Sequence, residues 1–409
     1  MVVIMYYVLF IFCLLYSMYF FITSLWGFKG MHKSIIKKHK EKYKIACLIA
    51  ARNEEQVVPS LVKSLLRQDY PKELFDVFVI PNNCSDDTEG AARKAGAKII
   101  DVTIPVKSKG EVLKFTFEKL KDKDYDAYII FDSDNIVDKN FVRRMNDTLC
   151  DGYEVAQGYR DSKNAGDNWI TGSYSIFYWI QNFFFNRARM HINGSASING
   201  TGFMIKKSVI EAEGFQTYTL TEDVEFTAQC AIKNRRIAFV EDAITYDEQP
   251  LQFGASWVQR SRWTTGNLQC FARYDWKLLK AFFKNHNIAA FDMALLFFAP
   301  MFQVLGFILM IVLILFKMYG IELIDIFSYM FAFGVLFFIL GYIGNIILNI
   351  FIVKYNRNNK VLNLIWGILF FPVFLLTWVP INIKCLIKRD SKWKEIKHTR
   401  SINIEEIDN

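Results

Sequence analysis

Hydrophobic runs with few charged positions stand towards both ends of the chain. Residues 2–28 carry no charged side chain before Lys29, and a run of this length can cross a bilayer as a helix. A secretory signal peptide would need a basic start, a shorter apolar core and a small-residue cleavage site, and the run shows none of them. We therefore predict a retained membrane anchor. Three further hydrophobic runs follow at 291–316, 323–353 and 361–387.

The pattern changes to an alternation between residues 43 and 160. Apolar runs of strand length are separated by helix-like segments such as 109–121. This βαβ rhythm predicts an α/β fold with a mostly parallel, Rossmann-like sheet covered by helices. The polar groups ARNEE (51–55), PNNCSDD (81–87) and DSDN (132–135) each follow an apolar run. We expect them to meet at the carboxyl edge of the sheet, where such folds bind ligands.

Residues 169–190 form an aromatic segment that is broken by polar groups and closed by Arg187 and Arg189. This pattern suits a helix lying in the headgroup plane of a membrane, and a core helix is the alternative. The patterns together divide the chain into four parts: an anchor over 1–28, an α/β domain over 43–275, a C-terminal membrane region over 286–387 and a cytosolic tail over 388–409.

Basic residues follow the anchor between Lys29 and Lys44 and recur in the tail. By the positive-inside rule both regions belong in the cytoplasm, so the chain is predicted to be a multi-pass protein of the cell membrane with its α/β domain inside. Three full crossings after that domain would put the basic tail outside. Because Pro372 and Pro380 interrupt the last run, we expect it to be re-entrant or kinked within the protein.

Composition narrows the function classes. Hydrophobic residues make up 52% of the chain, with 38 Phe, and the formal net charge is +8. The basic residues flank the hydrophobic runs, where they would face anionic lipid headgroups rather than a nucleic acid. The seven cysteines form no CxxC pair and no metal-binding spacing. They are therefore interpreted as reduced thiols without a disulfide framework.

The stretch AYIIFDSDNIV (127–137) ends a buried run on two carboxylates, Asp132 and Asp134. Ionised neighbours repel, and one pKa rises unless a cation or a set of donors lies between them. An Asp-rich turn after a strand is the alternative for such a pair taken alone.

Two further motifs occur downstream, TLTEDVEF (219–226) and QRSRW (259–263). The first, taken alone, is typical of a helix N-terminus with acidic residues in its first turn. The second, taken alone, fits an amphipathic helix whose Arg side chains reach a membrane surface.

Five motifs in this order, namely ARNEE, DSDN, NGTGF (199–203), TED (221–223) and QRSRW, resemble the membrane-bound family 2 glycosyltransferases. Within that family the chain is similar to the processive β-glycan synthases, which make cellulose, hyaluronan, chitin or poly-N-acetylglucosamine. The resemblance covers roughly 43–270. It implies a GT-A-like fold and a nucleotide-sugar donor that carries UDP.

The resemblance also implies roles on the donor side. Asp134 would hold Mg²⁺ or Mn²⁺ as a Lewis acid for the departing diphosphate, and Asp132 would face the ribose. Lys109 matches a diphosphate-contacting lysine, with a surface-helix lysine as the alternative. Glu54 and Asp86 would contact the nucleotide. Asn82 stands where relatives commonly have an Asp, and an amide there can accept a hydrogen bond but adds no charge.

On the acceptor side, Asp223 of TED would be the base that takes the proton of the attacking hydroxyl, and its neighbour Glu222 would be an acceptor contact. From QRSRW, Arg262 would pair with the diphosphate, Trp263 would stack on a sugar ring, and Gln259 would bind the acceptor or the nucleotide. In NGTGF, Thr201 is an expected acceptor contact, and its glycines would allow close approach of a sugar.

The sequence thus predicts an inverting, metal-dependent glycosyltransferase that elongates a β-linked polysaccharide and is coupled to its export. The alternative is a single-addition enzyme with a lipid acceptor, similar to ceramide glucosyltransferase. Few hydrophobic runs favour that alternative, since a glycan channel needs enclosing helices that a partner subunit or an oligomer would have to supply. A degenerate copy that only senses nucleotide sugars is a third hypothesis. WKEIKHTR (393–400) resembles a motif that folds over the nucleotide, and a solvated basic tail is its alternative.

Overall fold

A computed structural model of the protein describes residues 2–31, 33–319, 334–356 and 361–388. Within these ranges one sheet of eight strands has the order β3-β2-β1-β4-β7-β6-β8-β5. The strands are β1 (Ile45–Ala51), β2 (Phe75–Pro81), β3 (Lys98–Ile99), β4 (Ala127–Asp132), β5 (Ile136–Val137), β6 (Val155–Ser162), β7 (Phe203–Lys206) and β8 (Ile237–Asp247).

Helices cover the sheet and extend beyond it. α1 (Val2–Ser24) precedes the α/β domain. The helices of the domain are α2 (Val58–Leu66), α3 (Thr88–Ala95), α4 (Lys109–Leu120), α5 (Phe141–Cys150), α6 (Trp169–Ile180), a π-helical segment (Gln181–Arg187), α7 (Ala188–His191), α8 (Lys207–Glu213) and α9 (Glu222–Ile232). The later helices are α10 (Phe253–Asn285), α11 (Ile288–Met318), α12 (Gly334–Tyr355), α13 (Ile365–Leu376) and α14 (Trp378–Ile387).

The sheet is mostly parallel, as the alternating pattern predicts. β1 pairs in parallel with β2 and β4, and β6 pairs in parallel with β8. β7 joins the two parallel halves through antiparallel pairing with β4 and β6. The strands in the middle are buried on both faces, which explains why their sequences are continuous apolar runs. The predicted α/β class is confirmed.

The register brings the ends of the parallel strands to one edge. Ala50 of β1 lies opposite Asp132 of β4, and Ser162 of β6 lies opposite Asp247 of β8. The polar groups after β1, β2 and β4 therefore share an edge, and the ends of β6 and β8 add a second set beside them.

Three helices in the described part of the chain are long and apolar enough to cross a membrane by length and composition: Val2–Phe28, Ile288–Phe316 and Val361–Ile387. The first is joined to the domain by Arg187, which is buried and donates to the carbonyl oxygens of Gly27 at 3.0 Å and Gly30 at 2.5 Å. The predicted run 323–353 is described only from residue 334 onwards.

The last hydrophobic run is divided at Thr377 into α13 and α14, with Pro372 inside α13. α13 packs on α6 where two glycines face each other: a Cβ on Gly172 would lie 2.9 Å from the Cα of Gly367. α14 packs on α10, and the hydroxyl of Thr264 donates to Asn382 Oδ1 at 3.0 Å. The run is thus broken, as its prolines suggest, and partly buried against the α/β domain. Whether it crosses a bilayer stays a prediction.

α6 buries most of its residues between the sheet and α13. It begins at Asn168, whose side chain accepts the N–H groups of Ile170 at 2.8 Å and Thr171 at 3.1 Å. α6 is therefore buried as the core-helix alternative predicts. A location of residues 169–190 at the membrane surface stays a prediction.

Candidate active site

The loops after β1 and β2 are tied together. The backbone N–H of Glu54 donates to Thr88 Oγ1 at 2.9 Å, and that of Glu55 donates to Asp86 Oδ2 at 3.1 Å. Partial burial alone would raise the pKa of Asp86, but hydrogen bonds from Thr88 and Glu55 outweigh it and lower the pKa. The structure therefore brings Glu54 and Asp86 to the same end of the cleft, as the strand-end argument predicts.

Asn82 has a different use from the one that its motif position suggests. Its backbone N–H and its side-chain Nδ2 each lie 3.0 Å from the carbonyl oxygen of Ala51. The amide thus joins the ends of β1 and β2, which an Asp could not do because a carboxylate has no N–H to donate.

The end of β4 carries an ion pair between Asp132 and Lys109, the first residue of α4. Lys109 Nζ lies 2.5 Å from Asp132 Oδ1 and 2.7 Å from the carbonyl oxygen of Gly200, and 3.7 Å from Glu222 Oε1. Burial lowers the pKa of Lys109, but the charges of Asp132 and Glu222 more than offset this and raise it. Lys109 is therefore part of the site rather than a solvated helix residue.

Thr201 does not face the cleft as an acceptor contact. It is fully buried, its Oγ1 accepts the backbone N–H of Asp132 at 3.0 Å, and its hydroxyl donates to Asn135 Oδ1. The hydroxyl therefore holds the end of β4, and this corrects the expectation for Thr201.

Gly200 lies between the two carboxylates that the sequence singles out. Its φ is +90°, and a Cβ there would lie 3.4 Å from Asp223 Oδ2 and 3.8 Å from Asp132 Oδ2. A glycine adopts this backbone conformation without strain and leaves the space between the carboxylates open.

Asp223, in the first turn of α9, has a raised pKa. Burial is the largest cause, the charge of Glu222 adds to it, and Lys109 and Arg262 oppose it, so that the pKa is about 7. A carboxylate with a pKa near the working pH is suited to act as a general base.

The loop before α9 is braced by buried hydrogen bonds. Glu225 is fully buried, and its Oε2 accepts the backbone N–H groups of Tyr218 at 2.7 Å and Thr219 at 2.8 Å. Its Oε1 accepts the hydroxyl of Tyr274 in α10 at 2.6 Å. Gly266 of α10 lets the helices approach closely, since a Cβ there would lie 2.5 Å from a Thr221 side-chain oxygen. These contacts fix Asp223 relative to α10.

Asp134 is buried directly after β4, and its Oδ2 lies 3.4 Å from the backbone N–H of Glu248. Among the described residues no set of three His, Cys, Asp or Glu side chains is arranged to hold a metal ion by itself. Mg²⁺ typically binds through one or two carboxylates together with substrate phosphates and water. The carboxylate of Asp134 fits that kind of ion and does not form a closed protein cage.

Sequence reasoning missed Arg160 and Asp247 at the ends of β6 and β8. Arg160 Nε donates to Asp247 Oδ2 at 2.7 Å, and its Nη1 donates to the carbonyl oxygen of Asn199 at 2.5 Å. Its guanidinium lies 4.1 Å from the ring centroid of Tyr178. Burial raises the pKa of Asp247 to about 6, with Arg160 opposing the shift and Asp134 adding to it. The strand-end rule, applied to YRDSK and YDEQ, could have found both residues.

The QRSRW motif lies on α10, and its two arginines have separate uses. Arg262 is close enough to Asp132 and Asp223 for its charge to lower the pKa of both. Arg260 is fully buried; it donates to Thr377 Oγ1 at 2.6 Å and its guanidinium lies 4.4 Å from the Phe374 ring centroid. Arg260 therefore joins α10 to the break between α13 and α14 rather than reaching a membrane surface.

Trp263 is half-buried in an aromatic cluster. Its ring stacks on that of Trp378 in α14, with 6.3 Å between the ring centroids. It makes edge contacts with the rings of Tyr174 and Tyr178, at centroid distances of 5.9 Å and 6.3 Å. Within the described part of the chain, Trp378 Nε1 and Gln259 Oε1 are buried without a hydrogen-bond partner. Buried polar atoms of this kind call for an explanation, and a bound polar ligand is one. The motif at 393–400 lies outside the described residues.

Comparison with known proteins places these motifs in a family. Residues 43–266 match the family model described as glycosyltransferase like family 2. A probable glycosyltransferase of Bacillus subtilis, YdaM, is 28% identical over 277 residues, which is 63% of each chain.

Two more distant relatives make different products. The beta-monoglucosyldiacylglycerol synthase of Synechocystis is 23% identical over 56% of this chain and 49% of the relative. The poly-beta-1,6-N-acetyl-D-glucosamine synthase of Staphylococcus aureus is 20% identical over 64% of this chain and 62% of the relative. The chain thus spans between about half and just under two thirds of the length of the curated relatives it matches.

Among solved structures, the mannosyltransferase PcManGT of Pyrobaculum calidifontis, solved with GDP-Man and Mn²⁺, has a TM-score of 0.63. It is 13% identical, and the match covers 95% of this chain and all of that one. The similarity shows a shared fold, so the predicted GT-A-like architecture is confirmed.

Gly200 offers a test of the space between the two carboxylates. We expect Gly200→Ala to abolish most turnover, because the methyl group would enter the gap between Asp132 and Asp223. Gly152 is a matched control, since it has the same φ of +90° and a Cβ added there would have no atom within 4 Å. Both variants carry the backbone strain, of order 1–3 kcal/mol, but only Gly200→Ala should lose activity. Equal turnover by the two variants, compared at similar thermal stability, would contradict this placement.

Proposed function

The chain belongs to the glycosyltransferase like family 2, and we propose that it transfers a sugar with inversion from a UDP-sugar to a growing β-linked polysaccharide at a membrane. The observation that carries the proposal is the cleft around Gly200. There Lys109, Asp132 and Asp223 converge, and the charge of Arg262 acts on both carboxylates.

The chemistry follows from those groups. In the proposed reaction the oxygen of the acceptor hydroxyl attacks the anomeric carbon from the side opposite the diphosphate. Asp223 accepts the proton of that hydroxyl during the attack. The bond from that carbon to the diphosphate oxygen breaks, and its electron pair leaves with the diphosphate. Lys109 and Arg262 provide positive charge for the departing group.

A divalent cation is the proposed cofactor. Asp134 would hold Mg²⁺ or Mn²⁺, which would supply Lewis-acid stabilisation of the departing diphosphate. The carboxylate, buried at the strand end beside the 247–248 turn, supports this, and the structural neighbour PcManGT contains Mn²⁺.

The aromatic cluster around Trp263 supports a saccharide acceptor. An aromatic ring such as that of Trp263 can pack against the apolar face of a sugar. Gln259 Oε1 and Trp378 Nε1, which have no hydrogen-bond partner among the described residues, can bind the hydroxyl groups of that sugar. Gln259 precedes Trp263 by one helical turn, so both lie on the same face of α10. Such a surface can retain a growing chain after each transfer, which processive synthesis requires.

A lipid acceptor is the second candidate function. It is favoured by the similarity to a beta-monoglucosyldiacylglycerol synthase and by the small number of candidate spans, three in the described residues. Export of a polysaccharide would require further helices from a partner subunit or an oligomer.

Product size distinguishes the two acceptors. Membranes containing the protein are incubated with a panel of UDP-sugars and with GDP-mannose, and the products are sized at low turnover with excess acceptor. We expect long chains beside unused acceptor from a UDP-sugar, and shorter chains from Trp263→Ala. A single glycolipid carrying one sugar would overturn the polysaccharide acceptor and leave the glycosyltransferase intact. Turnover of GDP-mannose alone would overturn the UDP assignment.

The general base predicts a pH profile. Because only the ionised form of Asp223 accepts a proton, and its pKa is about 7, the rate should rise with pH up to about 7 and level off above it. Asp223→Asn should reduce turnover by about 10²–10⁴-fold while UDP binding persists. A variant that keeps more than about a tenth of the wild-type rate would exclude Asp223 as the base.

Metal dependence gives a separate prediction. Chelation with EDTA should abolish turnover, and Mn²⁺ or Mg²⁺ should restore it in the wild type but not in Asp134→Ala. Asp124→Ala is the control, since the Asp124 side chain is 98% exposed. Full activity of the wild type in chelator would rule out the role assigned to Asp134.

The proposed location is the cell membrane with the catalytic domain in the cytoplasm. The excess of Lys and Arg after α1 and after α14 supports this orientation. A cysteine introduced as Lys388→Cys should resist a membrane-impermeant thiol reagent in intact cells and react after lysis, measured against the background of the unmodified chain. Labelling in intact cells would place the end of α14 outside.

A further inference from the structure

Lys163 follows β6 and is held rigidly at the active-site edge. Its backbone N–H donates to the carbonyl oxygen of Asp247 at 2.8 Å. The next side chain, Asn164, donates from Nδ2 to the carbonyl oxygen of Gln249 at 2.9 Å and accepts the N–H of Gln249 at 2.8 Å. These bonds continue the pairing of β6 and β8 beyond the strands, so the main chain at Lys163 has little freedom to move.

The ammonium group of Lys163 is buried and has no hydrogen-bond partner in the described part of the chain. Leaving a buried cation unpaired costs free energy, and burial lowers the pKa of Lys163 although nearby carboxylates, Asp134 first among them, oppose the shift. The site therefore holds an ammonium whose three donors are unused within the described residues.

Its surroundings identify the side of the cleft. The backbone of Lys163 is bonded to Asp247, and the N–H of the next residue, Glu248, points to Asp134 Oδ2 at 3.4 Å. Asp134 and Lys163 thus both lie against the same turn. The charge of Asp134 also acts on the Lys163 ammonium, so a metal held by Asp134 would lie on the side of the cleft that carries Lys163.

Lys109 provides the comparison. Its ammonium donates to Asp132 and to the carbonyl oxygen of Gly200, with Glu222 close by at 3.7 Å. Lys109 therefore uses two of its three N–H donors within the protein, whereas Lys163 uses none among the described residues.

We propose that Lys163 is a second phosphate-binding cation of the donor site, whose ammonium binds the diphosphate of the nucleotide on the side of Asp134. The proposal rests on the proposed function, because it takes a nucleoside diphosphate as the ligand. In this proposal the unused N–H donors of Lys163 bind phosphate oxygens of the nucleotide. The nucleotide would bind together with the divalent cation held by Asp134, and that cation would offset the negative charge of the carboxylates at this turn.

The test compares nucleoside diphosphates with nucleosides by calorimetry on the full-length protein in detergent with Mn²⁺. Lys163→Met should weaken binding of UDP, or of GDP if that is the nucleotide bound, by about tenfold or more, as expected for the loss of a hydrogen bond to a charged group. Binding of uridine or guanosine should stay unchanged, since neither carries a phosphate. Lys233→Met is the control, because Lys233 lies at the end of α9 opposite to Asp223 and is 56% exposed.

The affinity for Mn²⁺ alone is a second measurement, and we expect it to change in the opposite direction to the affinity for the nucleotide. The charges of Lys163 and Asp134 act on each other, so removal of the Lys163 charge should tighten binding of Mn²⁺ alone by several-fold. Weaker nucleotide binding together with tighter metal binding is a result that a loss of folding would not produce. If Lys163→Met does not fold, Lys163→Gln is measured in its place. Thermal unfolding of that variant with Mn²⁺ present checks that it is folded.

Two results would overturn the inference alone: wild-type affinity for UDP or GDP in the Lys163 variants, or equal losses for the nucleoside and its diphosphate. A wild-type protein that binds neither diphosphate would instead overturn the proposed function together with it.

Discussion

Repulsion among carboxylates at one edge of the sheet is the constraint on which the site depends. Because the parallel strands end together, Asp132, Asp134 and Asp247 lie near each other, and α9 adds Glu222 and Asp223. So many like charges in a partly buried cleft are tolerated only where cations or hydrogen-bond donors lie among them. The basic residues of the cleft are distributed accordingly: Lys109 next to Asp132, Arg160 next to Asp247, Lys163 near Asp134 and Arg262 near Asp223.

Burial and the distribution of these charges together shift the pKa values of Asp132 and Asp223 in opposite directions. Asp132 is paired directly with Lys109, and the added charges of Arg160 and Arg262 help to lower its pKa although burial opposes this. Asp223 has no such direct partner among the described residues, and burial with Glu222 raises its pKa. The two carboxylates on either side of Gly200 therefore have opposite pKa shifts, which supports the proposal that Asp132 binds the donor and Asp223 takes the proton.

Close helix packing links this cleft to the apolar segments. α10 carries Arg262 and Trp263 towards the cleft and, on the same helix, Arg260 into contact with Thr377 at the break of the last hydrophobic run. Trp378, one residue after that break, stacks on Trp263. A rearrangement of α13 and α14 would therefore move Arg260 and Trp263 directly, through these side-chain contacts rather than through the sheet.

The sequence by itself determined the fold class and most of the strand-end chemistry. Alternating apolar runs specify a parallel sheet, and the ends of parallel strands must share an edge, so Glu54, Asp86, Asp132 and Asp134 could be placed together without coordinates. Local pattern also located the divided final run, since proline disfavours helix continuation.

What only the tertiary structure decided are relations between residues far apart in the chain. The pattern could not show that the Thr201 hydroxyl turns inward to Asp132, that Asn82 joins two strands, or that Arg160 and Lys163 belong to the cleft. β6 and β8 enter the sheet through the antiparallel β7, a topology that no local periodicity encodes. Burial, which sets the pKa of Asp223 and leaves the ammonium of Lys163 without a partner among the described residues, arises only when these distant segments pack together.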